Sequence, residues 1–98
     1  MPTATSQFAT PNASRYLKQL CKHFAHKVES EFSASEGSAE LPGGKLVLTA
    51  DANALSIRIE GEDAKGMTKA RYVLEDHLVR FAFREELLGL HWKFHRGF

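Results

Sequence analysis

In Arg15-Tyr16-Leu17-Lys18-Gln19-Leu20-Cys21-Lys22-His23-Phe24-Ala25-His26-Lys27-Val28 the apolar residues Leu17, Leu20, Cys21, Phe24 and Val28 fall at i, i+3, i+4, i+7 and i+11. That is the period of a helix buried along one stripe, about 100° of turn per residue bringing the five side chains to one face. Tyr16, His23 and Lys27 form a neighbouring stripe at the edge of that face, and Lys18, Lys22 and His26 point away.

The 98 residues are read as a single domain spanning 1–98, long enough for one core. Apolar and charged fractions are those of an ordinary soluble globular protein, and no apolar run reaches membrane-spanning length. Met1 to Asn12 is polar, without the basic and apolar regions of a secretory signal. The lone Cys21 excludes an internal disulfide and fits a reducing compartment, so a cytoplasmic location is expected.

Net charge is +1, but it is unevenly spread. Residues 1–28 hold Arg15, Lys18, Lys22 and Lys27 and no acid, whereas residues 29–63 hold eight acids against Lys45 and Arg58. Residues 64–98 carry seven bases against four acids. One meaning is a basic surface for an anionic partner. The favoured one is internal complementarity, with basic helices lying over an acidic sheet.

Residues 1–12 are expected to be loosely ordered, with Ser6 to Thr10 at most a short edge strand. Pro11 keeps its predecessor extended, and Asn12 or Ser14 is placed to cap the first helix. From Val28 the period changes to two, Val28 and Phe32 inward and Glu29 and Glu31 outward. Ser33–Gly37 reads as a turn, Ser38–Leu41 as a short strand and Pro42-Gly43-Gly44 as a tight reversal. Lys45–Ala50 and Ala54–Glu60 are the firmest strands, Leu46, Leu48, Leu55, Ile57 and Ile59 sharing one apolar face. Short turns between them predict an antiparallel meander. Glu62-Asp63 opens a second helix with Asp63 as cap, and Met67, Ala70, Leu74, Leu78 and Phe81 form its buried stripe. Leu88–His95 alternates again and is expected as a last strand. The sum is an α+β two-layer sandwich: an antiparallel sheet of four to five strands with two helices packed on one face.

Cys21, His23 and His26 resemble a metal cluster in one dimension only. On a helix Cys21 and His23 lie about 200° apart and Cys21 belongs to the apolar stripe, so no metal site is assigned. His91 and His95 flank Lys93, whose ammonium would repel an ion. The pairing that carries chemistry is between helices. His77 sits at the edge of the second apolar stripe beside Val73, Arg80 and Arg84, and His23 occupies the comparable edge of the first beside Tyr16 and Lys27. Side-by-side helices would let Tyr16, His23, His77, Arg80 and Arg84 line a cationic groove suited to a carboxylate, phosphate or haem propionate. The plainer account pairs Arg80 and Arg84 with Asp76, Glu85 or Glu86. There is no nucleophile motif, phosphate loop or dinucleotide fingerprint. The open sheet face, with Glu29, Glu31, Thr49, Ser56, Arg58 and Glu60, lacks the aromatics of an RNA-binding sheet.

Arg15 through Lys27 and Asp76-His77-Leu78-Val79-Arg80-Phe81-Ala82-Phe83-Arg84-Glu85 together resemble the two signature stretches of an uncharacterised bacterial family (domain of unknown function, family 2218). The likeness runs from Ala9-Thr10-Pro11 to Trp92, with the Ser33 to Gly44 segment departing from the tighter turns expected there. It implies a small bacterial cytoplasmic domain, with an association to siderophore-interacting flavin reductases and so to iron metabolism. The resemblance supplies no catalytic residues.

The expected function is that of a small non-catalytic binding or accessory domain, with no cofactor, nucleic acid or membrane partner assigned. One alternative is an iron-, siderophore- or haem-linked accessory protein using His23 and His77. Another is a small enzyme with His77 as acid–base and Arg80 as anion binder. A homodimer through the aromatic last strand, or a flavin-reductase partner, are the protein partners to consider.

Overall fold

The computed structural model describes residues 2–95. Its elements run β1 (Thr3–Ala9), α1 (Ala13–Phe24), β2 (Ser30–Phe32), β3 (Glu36–Leu41), β4 (Gly44–Ala50), β5 (Ala54–Gly61), α2 (Ala64–Phe81), a short 3-10 turn (Phe83–Glu85) and β6 (Lys93–His95). The strands form one antiparallel sheet of order β2-β3-β4-β5-β1-β6. The sheet therefore has six strands where four to five were expected.

The period-two pattern acts as it must on a half-covered sheet: Leu46 pairs with Ile59 and Leu48 with Ile57, one face going to the helices. These side chains are fully buried or nearly so, with Leu17, Leu20 and Cys21 of α1 and Leu74 and Leu78 of α2. Both helices contact β4 and β5 and also each other, so they share that face. Asp63 caps α2, its Oδ1 accepting from the Gly66 amide at 2.7 Å.

The added strand is β1, which replaces the loosely ordered segment expected over residues 1–12. It pairs along its whole length with β5 and at Thr3–Thr5 with β6, so it is interior rather than an edge. Its inward residues are Ala4, Ser6 and Phe8, and two of these three are too small or polar to register as an apolar alternation. Ser6 is buried because its hydroxyl donates to the His91 carbonyl at 2.7 Å.

At the other end, only Lys93–His95 of the expected Leu88–His95 strand joins the sheet. Glu75 on α2 intercepts the chain before that, its Oε1 accepting from Trp92 Nε1 at 2.8 Å and from the Leu90 amide at 3.3 Å. Leu90 and Trp92 pack on the core, whereas Leu88 is 93% exposed. The Arg71 guanidinium lies over the Phe94 ring at 4.8 Å. Val28 falls outside the expected strand, because β2 starts at Ser30, and Phe32, the last residue of β2, is 40% exposed at the sheet edge rather than turned inward.

The basic helix does not lie against the acids. Arg15, Lys18, Lys22 and Lys27 are exposed, while Glu31, Glu36, Glu40 and Glu60 lie on the open side of the sheet. Among the described residues the ion pairs are Arg58–Glu60 at 4.0 Å and Arg80–Asp76 at 3.1 Å, and neither joins the two regions. The expectation of internal complementarity is thus corrected: the charge asymmetry is displayed on opposite surfaces. The cause is the stripe itself, which turns its lysines outward wherever it buries its leucines.

Candidate functional site

The five residues expected in one groove fall into separate places. His23, in the last turn of α1, meets His77, about one turn before the end of α2, with ring centroids 4.5 Å apart. Phe24 lies edge-on to His77 at 5.4 Å, and Phe81 edge-on to His23 at 5.9 Å. Four rings from two helices therefore form one cluster, as their stripe edges require once the helices are neighbours. Arg80 is exposed and held by Asp76, and Arg84 is exposed over the Phe83 ring at 5.7 Å. Tyr16 is buried toward the opposite end of α1, stacked on Phe8 at 5.9 Å.

Beside the histidines is a cavity of about 350 Å³ with an apolar floor of Phe24, Val28, Leu41, Pro42 and Val73. His23, His26, Lys27 and His77 complete the lining. His77 Nδ1 lies 2.7 Å from the Val73 carbonyl, which can only accept, so Nδ1 carries a proton and the neutral ring keeps its lone pair on Nε2. The His23 pKa is pushed below its ordinary value by lost solvent first, then by His77, His26 and Lys27. Among the described residues no group of three or more His, Cys, Asp or Glu is arranged to hold a metal ion. Cys21 is a fully buried free thiol whose pKa is raised by that burial.

The second polar cluster was not anticipated from sequence. The Glu85 carboxylate accepts from the Tyr16 hydroxyl, from Thr10 Oγ1 at 2.7 Å and from Asn12 Nδ2 at 3.2 Å. Asn12, expected as a helix cap, makes no side-chain cap bond and serves this cluster instead. Three neutral donors on one carboxylate hold its pKa below the ordinary value, and burial with the Glu85 bond pushes Tyr16 up to about 12. The cluster ties the β1–α1 junction to the end of α2. Hydrogen bonds to a charged group contribute about 1.5–3 kcal/mol, so Glu85→Gln is expected to lower Tm by roughly 5–20 °C.

The depressed Glu85 pKa gives stability that is present above 4.5 and lost as pH falls through the lower folded value. The raised Tyr16 pKa gives stability that is full below 10.0 and lost as pH rises through about 12. Tm measured against pH should show both limbs in the natural chain, with the acid limb flattened in Glu85→Gln.

Together these features define a small α+β domain: a six-stranded antiparallel sheet under two helices, with a histidine–aromatic pocket between the helices. A family described as "Uncharacterized protein conserved in bacteria (DUF2218)" matches residues 5–93, and the chain belongs to it. The NMR structure of PA4090 from Pseudomonas aeruginosa is similar, at 27% identity and a TM-score of 0.76, over 97% of this chain and 96% of that one. No curated protein matches the chain significantly. Neither family nor neighbour indicates a specific function. Among the described residues no helix is long and apolar enough to cross a membrane.

Proposed function

We propose that this is a non-catalytic ligand-binding domain of the bacterial cytoplasm whose site is the pocket beside His23 and His77. The observation that carries the reading is the contact of two imidazoles from separate helices, 4.5 Å between centroids, at the rim of an apolar cavity. Concave apolar space with a few convergent polar groups is the usual form of a small-molecule site. The enzyme and haem readings drew on Arg80 and Arg84 in one groove with His77, and neither of these arginines lines the pocket. Asp76 engages Arg80 on the solvent side and Arg84 lies over Phe83, which favours binding without chemistry.

A fragment screen read on the imidazole NMR signals tests this. Binders should shift His23 and His77 together, and His77→Ala should weaken them at least about tenfold, the loss of about 1.4 kcal/mol. Binders that shift only the open sheet face or the exposed lysines of α1, with both imidazoles unmoved, would overturn it.

A further inference from the structure

The lining of the pocket is chemically lopsided. Among the described residues, four of the lining are cationic or can become so, the rest are apolar, and none is an acid. We propose that the pocket selects a small molecule with a flat apolar body and one carboxylate, and that its binding loads one proton from solvent onto the histidine pair. This rests on the binding reading above and adds the ligand's chemical class and its coupling to pH.

The body follows from the floor and the rings. Phe24, edge-on to His77, lines the floor with Val28, Leu41, Pro42 and Val73, an apolar surface against which a flat ring packs well. About 350 Å³ is near the low end of small-ligand sites, fitting one or two rings.

The head group follows from the charges. Lys27 supplies a standing cation, and α1 ends here, its last carbonyls being capped by the amides of Ala25, His26, Lys27 and Val28. A helix C-terminus favours a nearby imidazolium but disfavours concentrated negative charge, so a dianionic phosphate is poorly matched. A carboxylate carries a single negative charge, so the helix end opposes it less, and Lys27 with one imidazolium can match it.

The proton follows from the tautomer. Because His77 gives its Nδ1 hydrogen to Val73, Nε2 offers a lone pair to any ligand until it is protonated. His23 is surrounded by His77 from α2 and by His26 and Lys27 from its own turn, while Leu41 and Pro42 from the β3–β4 reversal are uncharged. Asp76 is committed to Arg80, so among the described residues no carboxylate compensates the pair before ligand arrives. An incoming carboxylate supplies that compensation. Two imidazoles this close share the first proton and resist a second, which limits the uptake to about one.

Titration calorimetry of the full chain with phenylacetate, in buffers of different ionisation enthalpy, reads the proton directly. Uptake of about one proton is expected, with affinity rising at most about tenfold per pH unit from about pH 8 to about pH 6. Phenylacetamide, the neutral analogue, should bind at least about tenfold more weakly and without proton uptake. His23→Gln and His77→Gln should each flatten the pH profile. Equal binding of phenylacetamide without proton uptake, or tighter binding of phenyl phosphate, would overturn the inference and leave a binding domain of other specificity. Failure of phenylacetate, phenylacetamide and a fragment library alike to move His23 and His77 would remove both.

Discussion

Leu74→Asp is expected to give no folded protein. Leu74 is fully buried on α2, in one apolar cluster with Leu20 of α1 and with Leu46, Leu55 and Ile59 of the sheet. Truncating a buried leucine costs about 2–5 kcal/mol. Leaving a carboxylate in its place adds a desolvation penalty of several kcal/mol, or a protonated acid without a partner. A domain of this length has about 5–15 kcal/mol in total, so the sum reaches or exceeds what there is to lose. Leu20→Asp, at the matching place on α1, should fail in the same way. Soluble fraction and amide NMR dispersion read the result, and Leu74→Met should remain folded with a cost under about 1.5 kcal/mol. A well-dispersed, soluble Leu74→Asp would mean that the helix–sheet seam does not hold the fold together.

That seam was readable because large side chains recur at helical and strand periods where they are buried. Leu17, Leu20, Cys21 and Phe24, and Met67, Ala70, Leu74 and Leu78, are the buried stripes of their helices. The β2-β3-β4-β5 meander follows from short connections. What escaped has a common cause: binding through polar atoms rather than through apolar area. Strand β1 lies inward on Ala4 and Ser6, and its place depends on β5 and on the His91 carbonyl far along the chain. The tail obeys Glu75 before it obeys its own alternation. Tyr16 was placed at a helix edge, yet it is only 5% exposed because Glu85 receives its hydroxyl. No local pattern announces an acceptor some seventy residues away.

The histidine pair was readable for the opposite reason. His23 and His77 each border an apolar stripe, and two such borders meet whenever two amphipathic helices share a sheet face. For Arg80 the plainer account holds: a helix surface offers it an acid one turn back, at Asp76, and such i,i+4 pairing competes with any groove. Lys27 and the turn after α1, which carried no weight in the expected groove, supply the cation and part of the floor instead.

Gly43→Val is expected to be the second most damaging change, and it also tests how the pocket is held open. Gly43 has φ +89°, a conformation that β-branched residues avoid. A Cβ there would lie 2.5 Å from the Gly66 carbonyl oxygen and 2.7 Å from its Cα, both backbone atoms of the first turn of α2. Neither can rotate aside, so α2 must move away from the β3–β4 reversal. Backbone strain of this kind costs about 1–3 kcal/mol, and the displaced helix adds lost packing at Met67 and Gly61, where a close contact also exists. A total above about 4 kcal/mol puts the change among the rare severe ones, a fall in Tm of roughly 15–30 °C. Gly66→Ala isolates the contact from the strain. In a helix that change should stabilise by about 1 kcal/mol on propensity alone, but its Cβ would lie 2.5 Å from the Gly43 carbonyl oxygen. The sign of its Tm change therefore decides the matter: a fall shows the contact dominating, and a rise shows the two backbones free to part. Leu41 and Pro42 enter the pocket from this same reversal, and Val73 and His77 enter it from α2. A chain in which Gly66→Ala lowers Tm should therefore also bind phenylacetate more weakly, with His23 and His77 still present and unaltered.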